Sequence, residues 1–585
     1  MAFQNAFRPR VYAFRRILTL ANQALDYDGL TNNQKGIAMD KPPAAAPLTP
    51  VANNERIQSL DVVRGFALIG ILMMNVEFFN RAIADLGSGI PASTTGANLW
   101  ISYFVQYFVT GKFWTIFSLL FGMGFAIMLT RAERAERSFL VPYMRRIAAL
   151  AVFGVLHHIF LFGGDILVSY AVSAAALLVV LYGRTKWILL AMALCIGGGF
   201  IPGMTWLFGI AGGLTFFGLA AWWLRGEQRM KRFGKPPVLG FILMLIGAIA
   251  FAAGVATWFA PNVPLEGRVM IPAIGFALFT LGYLTKRTHA DKAARPWRLG
   301  VGIYCFSFFM MTVAGAAQYY FPQKPPVAAT KEAAKKQQEQ EAERAKARKE
   351  RQELVAKETA ALSKGSYAEV VRLRAERFPE HAANEVGFAT ILTGMFLLGS
   401  WFVRAGIMER AREHLPLFRK LALFGIPIGV GLGLLGSTIA MHPIPGSRGA
   451  DGWQFAQGLQ MLGNLPASLG YVSLVILMLY SASPLNKVRV LAPFGRMALT
   501  NYLTQSLIAS TFFFGYGFGN WGVSRVDQML FVAVVIAFQI AFSHFWLARF
   551  RYGPMEWLWR AVTYWTIPPM RIASPAAAPA VATPA

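Results

Sequence analysis

Two cysteines, Cys195 and Cys305, are all that the 585 residues hold. Each stands alone in an apolar stretch, so no disulfide framework or zinc site is expected. Both read as small packing residues. Charge is scarce as well, at 15% of residues. Alternating strands of roughly ten residues are missing, which excludes a closed membrane barrel. The chain has no Gly-x-Ser-x-Gly elbow, no Walker motif and no acidic metal cluster. The glycine-rich stretch from Gly111 to Gly124 is not a phosphate loop, because Lys112 stands before Gly122 and Gly124 instead of after them and no strand leads into the stretch. Near the start, the only apolar run, Ile17 to Ala21, is too short for a signal peptide.

What remains is hydrocarbon. Mean hydropathy is +0.45, and several apolar stretches are about 20 residues long, enough to cross a bilayer. The expectation is an all-α polytopic transmembrane helical bundle of about 12–14 spans, its lipid partner the bilayer itself. Spans are expected from 60–79 to 527–547, among them 100–129, 386–403 and 497–517. The pair 187–208 and 210–224 is ambiguous, since Gly197-Gly198-Gly199 and Pro202 allow one broken helix. The net charge of +27 falls in short loops rather than in a basic folded domain, so nucleic acid is not an expected partner. Alternate joints carry the cations: Arg131, Arg134, Arg137, Arg145 and Arg146, later Arg229 to Lys235, then Arg404 and Arg410, then Lys487 and Arg489. The short opposite joints carry few, Arg81, Arg268, Arg448 and Arg525, and the long polar loop 324–385 on that side is no contradiction, because long loops translocate regardless of charge. By the positive-inside rule both termini are expected in the cytoplasm.

Five divisions follow. Residues 1–55 form a polar extension, in which Met39-Asp-Lys-Pro reads as a natural start. A first membrane bundle covers 56–320, a long polar outside insertion 321–385, a second bundle 386–566, and a disordered tail 567–585. From Lys331 to Glu358 helix formers dominate, without Gly, Pro or aromatics, which reads as a solvated helix and a spacer. A turn at Ser363–Ser366 and a second helix follow, whose Tyr367, Val370, Val371 and Leu373 are expected to pack on the membrane bundle. The segment Arg551–Trp565 is aromatic and basic, suited to the membrane interface.

Few residues look chemical. Asp61 and Arg64 open the first span three apart, on one helical face, where an unpaired charge would be costly. His157 and His158 precede the turn Gly163-Gly164-Asp165. An aspartate bonded to a histidine fixes its tautomer and suits it to act as a general base. Interfacial histidines beside a turn aspartate are the plainer alternative. Arg496, Asn501, Tyr502 and Gln505 bring polar groups into the thirteenth span, either to line a cavity or as interhelical hydrogen bonds. His442 is a loop histidine and a weaker candidate.

Four motifs in order resemble the YeiB family of bacterial inner-membrane proteins, grouped under a domain of unknown function (418). They are Arg56-Ile-Gln-Ser-Leu-Asp61-Val-Val-Arg64-Gly65 with Asn75; Leu156-His157 before Gly164-Asp165-Ile166-Leu167; Gly495-Arg496 with Asn501-Tyr502 and Gln505-Ser506; and Arg551-Tyr552-Gly553-Pro554 with Glu556-Trp557. The resemblance runs over about 56–566 and implies a multi-pass protein of the inner membrane. Its opening motif is also similar to that of transmembrane acyltransferases, including the heparan glucosaminide acetyltransferase group. That likeness implies an acyl group passing from cytoplasmic acyl-CoA, with no resident cofactor, to an envelope glycan or lipid. Asn75 stands where bacterial sugar O-acyltransferases carry a histidine, so His157 with Asp165 becomes the expected base. Arg64 would then meet the CoA phosphates and Asp61 would orient it. Asn75, Arg496, Asn501, Tyr502 and Gln505 would line the passage. Two other functions fit the same residues: a transporter with Asp61–Arg64 as a gate, and a scaffold binding partners through 324–385.

Overall fold

The computed structural model describes residues 57–226, 238–260, 263, 265–321, 331–447 and 449–572. The extension to 55 with Met39, the loop cations from Arg229 to Lys235, Arg448 and the tail from 573 lie outside them. Among the described residues the protein is helical, with one isolated bridge between Phe550 and Arg571. Eleven helices among the described residues are long and apolar enough to cross a membrane, and two shorter apolar helices accompany them. This is a multi-pass helical membrane bundle.

The chain order is α1 (Gln58–Asn80), α2 (Gly96–Phe104), α3 (Lys112–Arg134), α4 (Leu140–Phe160), α5 (Leu167–Tyr182), α6 (Thr185–Gly199), α7 (Trp206–Arg225), α8 (Val238–Ala256) and α9 (Leu265–Thr288). Then follow α10 (Arg295–Tyr320), α11 (Lys331–Lys364), α12 (Tyr367–Arg404), α13 (Leu415–Ile439), α14 (Trp453–Leu479), α15 (Leu491–Arg496), α16 (Ala498–Phe513), α17 (Arg525–Leu547) and α18 (Pro554–Tyr564). The bundle has a basic end, where Arg134 pairs with Glu409 at 3.6 Å and Arg404 with Glu133 at 3.5 Å. The opposite end carries the α11–α12 hairpin and is called the insertion end.

Four expectations change. The span expected at 100–129 is interrupted: α2 passes through a π-helical turn and stops at Gly111, whose φ is +86°. A break inside a membrane protein frees carbonyls, and these must be satisfied by neighbours. Helix α14 does so: Gln460, Ser468 and Tyr471 donate to the carbonyls of Gln106, Lys112 and Phe108 at 2.7, 2.9 and 3.0 Å. Second, the ambiguous pair is two helices, as expected for 187–208 and 210–224, but α6 ends at Gly199 and α7 starts at Trp206, with a turn at 200–205 where Gly203 has φ +83°. Third, no boundary falls at 385/386. The second helix of the insertion and the span expected at 386–403 are one helix, α12, of 38 residues with Pro379 inside it. Fourth, the span expected at 497–517 ends at Phe513 and begins after a sharp turn at Met497.

The insertion sits firmly on the bundle. A capping box starts α12: Ser366 accepts from the Glu369 N–H at 3.3 Å and Glu369 accepts from the Ser366 N–H at 2.7 Å. Val370 and Leu373 are buried, whereas Tyr367 is exposed but donates to the Phe160 carbonyl at 3.1 Å. Glu358 at the end of α11 accepts from the Ala84 N–H at 2.8 Å and from Arg377 at 2.6 Å. In the core α3 and α12 touch through glycines. A Cβ at Gly122 would lie 2.1 Å from the Phe396 carbonyl oxygen, and one at Gly399 would lie 2.1 Å from that of Leu119. Of the tail expected from 567, the stretch to Ile572 folds back, with Met570 accepting from the Arg551 N–H at 2.9 Å.

Candidate functional site

His157 lies in the last turn of α4. The helix unwinds after Phe160, and the N–H groups of Leu161 and Phe162 both return to the His157 carbonyl at 2.9 and 2.7 Å. The turn then sinks into the bundle, burying Phe162 and Asp165. One carboxylate oxygen of Asp165 accepts from the Val168 N–H at 3.0 Å, capping α5. The other meets His157 Nδ1 at 2.7 Å, with both side chains at most 1% exposed. A carboxylate can only accept, so Nδ1 carries the proton when the ring is neutral, and Nε2 keeps its lone pair. Nε2 is buried without a hydrogen-bond partner. Gly154 makes room for this arrangement, since a Cβ there would press on the Val168 nitrogen at 2.7 Å. His158 turns elsewhere and stacks on His381 of α12, ring centroids 4.3 Å apart.

Asp61 and Arg64 form the pair their spacing implies, at 2.8 Å. They stand at the basic end of a cavity of about 200 Å³. Arg146 of α4, Arg496 of α15 and Arg560 of α18 join Arg64 in its wall, against two carboxylates, Asp61 and Glu556. The arginines are held from behind. Arg146 lies over the Trp559 ring at 3.8 Å while the Trp559 indole donates to the Arg146 carbonyl at 3.0 Å. Arg560 lies over Tyr552 at 4.9 Å. Arg496 donates to the Arg551 carbonyl at 3.4 Å, and its Nε is buried without a partner.

Glu556 does structural duty. It accepts from the Leu499 and Thr500 N–H groups at 2.6 and 3.1 Å and from the Thr500 hydroxyl at 2.6 Å, capping α16 from α18. Burial pushes its carboxyl above the ordinary value, opposed by these hydrogen bonds. The electrostatic surplus of the mouth is therefore positive, which suits an anion.

Away from the arginines the wall turns apolar, with Phe117, Phe121, Leu120 and Ile71, and ends at Ile166, Leu167, Tyr170 and Tyr502. Asp61 and Ile71 both line it, about 15 Å apart along α1 at 1.5 Å per residue. Tyr502 is the last wall before the histidine: its ring centroid is 5.0 Å from that of His157. The two ends of the site are thus nearer than a bilayer thickness. Arg146 and His157 stand on one helix, about 16 Å apart by helical rise.

Of the residues expected to line a passage, Tyr502 and Arg496 do so and three do not. Asn75 is buried outside this wall. Asn501 donates to the Phe494 carbonyl at 2.9 Å and to Ser543 at 3.1 Å. Gln505 donates to Gln539 at 2.9 Å. The last two bind α16 to α17, the interhelical role polar span residues often take. His442 stays in its loop, away from the wall. Arg146, Glu556 and Arg560 were not singled out from sequence as parts of this site, because their meeting with Arg64 is a product of the fold.

Residues 402–566 match the model of a protein family of unknown function, DUF418. Two curated relatives extend the likeness along almost the whole chain. YxaH of Bacillus subtilis (strain 168) is 24% identical over 525 residues, covering 88% of this chain and 96% of its own. YeiB of Escherichia coli (strain K12) is 25% identical over 533 residues, covering 89% and 98%. The chain is thus similar to these YeiB-like proteins along most of its length, and its C-terminal part matches the DUF418 model. A third match, a 39.9 kDa protein encoded in the amylase 3′ region of Bacillus acidopullulyticus, is 36% identical over 124 residues, 21% of this chain and 34% of its own. All three relatives are named as uncharacterized. No solved structure matches. The YeiB-like motifs around Asp61, His157, Arg496 and Glu556 all supply residues to the cavity or to the pair behind it.

Proposed function

We propose that this YeiB-like protein is an acyltransferase of the bacterial inner membrane, with its basic end and both termini in the cytoplasm. It takes an acyl group from acyl-CoA and delivers it to a hydroxyl or amine of an envelope glycan or lipid. One observation carries the reading. A narrow cavity begins among four arginines, continues between apolar walls, and stops one aromatic ring short of a buried His157–Asp165 pair. Guanidinium groups are suited to phosphate, and an apolar passage suits an extended arm ending in a thioester. The placement of the cations follows the positive-inside rule.

In this reading Arg64, Arg146, Arg496 and Arg560 hold the phosphates of the donor. Asp61 orients Arg64, to which it is bonded at 2.8 Å. His157 is the general base, and Asp165 keeps its Nε2 unprotonated and directed away from the carboxylate. Overall, a C–O or C–N bond to the acceptor forms, the C–S bond breaks, and the acceptor's proton ends on the CoA sulfur.

The test is equilibrium binding of CoA and acetyl-CoA to the purified protein in nanodiscs. Arg64→Ala and Arg146→Ala should each weaken binding roughly 10–150-fold, the equivalent of about 1.5–3 kcal/mol for a hydrogen bond to a charged group. A deletion strain should lose an acyl mark on an envelope glycan or lipid. No CoA binding together with unchanged envelope acylation would contradict the proposal. Solute uptake by proteoliposomes that persists without His157 would favour a transporter.

A further inference from the structure

The turn 160–165, which brings Asp165 back to His157, is covered by the insertion. Tyr367 donates to the Phe160 carbonyl at 3.1 Å. A Cβ on Gly163 would lie 3.6 Å from Arg374 Nε and 2.9 Å from Ile83 Cδ1. Beside these contacts His158 of α4 stacks on His381 of α12, ring centroids 4.3 Å apart and planes 23° from parallel. The Phe378 ring stands edge-on to His158, 5.4 Å away. His158 Nδ1 and His381 Nε2 are both buried without a hydrogen-bond partner, and such atoms call for a role. The His381 side chain as a whole is 25% exposed, so protons from solvent reach the pair. Two residues before His381 comes Pro379, which leaves its turn of α12 one backbone bond short.

The charges around the stack match one proton and not two. Arg374 and Arg377 of α12 and His157 of α4 act on His158 with positive charge. Most nearby carboxylates are already bound: Glu358 and Glu380 to Arg377 at 2.6 and 3.5 Å, and Asp165 to His157 at 2.7 Å. This leaves Glu385 of α12, which neighbours Ser169 and Asp165. One of its oxygens is 3.4 Å from His381 Nε2, and the other has no partner. A proton on His381 therefore has a counter-charge at hand. A second proton, on His158, would face a like charge across the stack, and like charges that close repel.

We propose that the α11–α12 hairpin as far as Pro379 is a lid over the turn 160–165, latched by the His158–His381 stack and opened by acid. While the rings are stacked, the latch holds at most one proton. Opening bends α12 at Pro379, parts the rings and lets each carry its own. It also uncovers the insertion-end side of the His157–Asp165 pair. The remaining contacts of the hairpin, such as Glu358 with Ala84 at 2.8 Å, keep the open form rare. Opening takes up one proton, so the open population rises about tenfold for each pH unit of acidification while histidine titrates. Nothing in this depends on the acyltransferase reading.

The experiment is hydrogen–deuterium exchange on the full-length protein in nanodiscs from about pH 8 to about pH 5, where histidine changes charge. Each rate is corrected for the pH dependence of free amides. Exchange reads rare open forms directly. Protection of the peptides covering 160–168 and 367–378 should fall about tenfold per pH unit, while that of α3 and α14 holds. His381→Phe and His158→Phe each keep an aromatic ring in the stack and remove its charge, so both should stay closed across the range. Pro379→Ala supplies the missing backbone bond and should reduce the acid response. Corrected protection that does not change with pH in the parent would overturn the inference. So would a parent-like acid response in His381→Phe and His158→Phe, or an undiminished one in Pro379→Ala. Equal loss of protection in α3 and α14 would also overturn it, because the whole bundle would then be opening.

Discussion

Gly124 separates the cavity's role from its packing. It lies within α3 and lines the cavity, and a Cβ built on it meets nothing within 4 Å. Two residues earlier, Gly122 is in the opposite situation, with the Phe396 carbonyl oxygen 2.1 Å from its Cβ position. Gly124→Ala should raise stability by about 0.5–1 kcal/mol, the helix-interior difference between the two residues. Gly124→Phe should not lower it, since the ring enters open apolar space and burying it returns about 1.5–3 kcal/mol. The same ring occupies much of a space of about 200 Å³. CoA binding should therefore fall at least about tenfold, or 1.4 kcal/mol. Gly122→Ala should do the reverse, costing about 1–3 kcal/mol through overpacking while the folded protein binds CoA normally. Thermal unfolding and calorimetric titration on the three variants give both readouts. Normal CoA binding by Gly124→Phe would refute the cavity as the donor site. Its destabilisation by more than about 2 kcal/mol would show that the space is not free.

Three further outcomes follow from the geometry. Asp165→Ala removes both the cap of α5 and the partner of His157, so it should cost about 0.5–2 kcal/mol through the cap alone. Asp165→Asn should keep most of that stability and still lose turnover, because an amide can leave His157 in the wrong tautomer; equal turnover by Asp165→Asn and the parent would remove Asp165 from the mechanism. The Glu556 carboxyl, raised by burial, is held protonated longer in the folded protein than in the unfolded chain. Its contribution is complete below the ordinary carboxyl pKa and is lost as pH rises through the raised one. Unfolding measured across the weakly acid range should lose this downward slope in Glu556→Gln, and an identical pH dependence in both proteins would refute the assignment. Ser366→Ala breaks the capping box and should cost about 1 kcal/mol, seen as faster proteolysis of the α11–α12 hairpin; unchanged cleavage would show that the hairpin does not depend on this cap.

Much of this was legible in the residues themselves, wherever the physics was local. The i, i+3 spacing of Asp61 and Arg64 implies their ion pair, and the turn of Gly163-Gly164-Asp165 brings Asp165 back to His157. The run without glycine or proline from Lys331 makes a helix. What was hidden depends on distant contacts. Arg146, Arg496 and Arg560 belong to three helices that only the fold brings to Arg64. Nothing in the spacing of Asn501 and Gln505 says which side faces a cavity, and their partners Ser543 and Gln539 lie on α17. The break at Gly111 did carry a signal, since glycine is the residue that tolerates φ +86°. The continuity of α12 through Pro379 overrode one, because proline usually ends a helix. Were the turn after His157 at the membrane surface, a bilayer thickness of about 30 Å would separate the two ends of the site. It is buried instead, and that brings Tyr502 between the cavity and His157.

The central claim is that acyl-CoA enters at the arginines and presents its acyl group to Tyr502. A CoA thioester bearing a photoreactive group at the acyl end tests this most directly. After irradiation and peptide mapping of the purified protein, the account predicts labels on Phe117, Ile166, Leu167 or Tyr502, suppressed by excess CoA and by Gly124→Phe. Labelling confined to the α11–α12 hairpin or the loops, or labelling that excess CoA leaves unchanged, would contradict it.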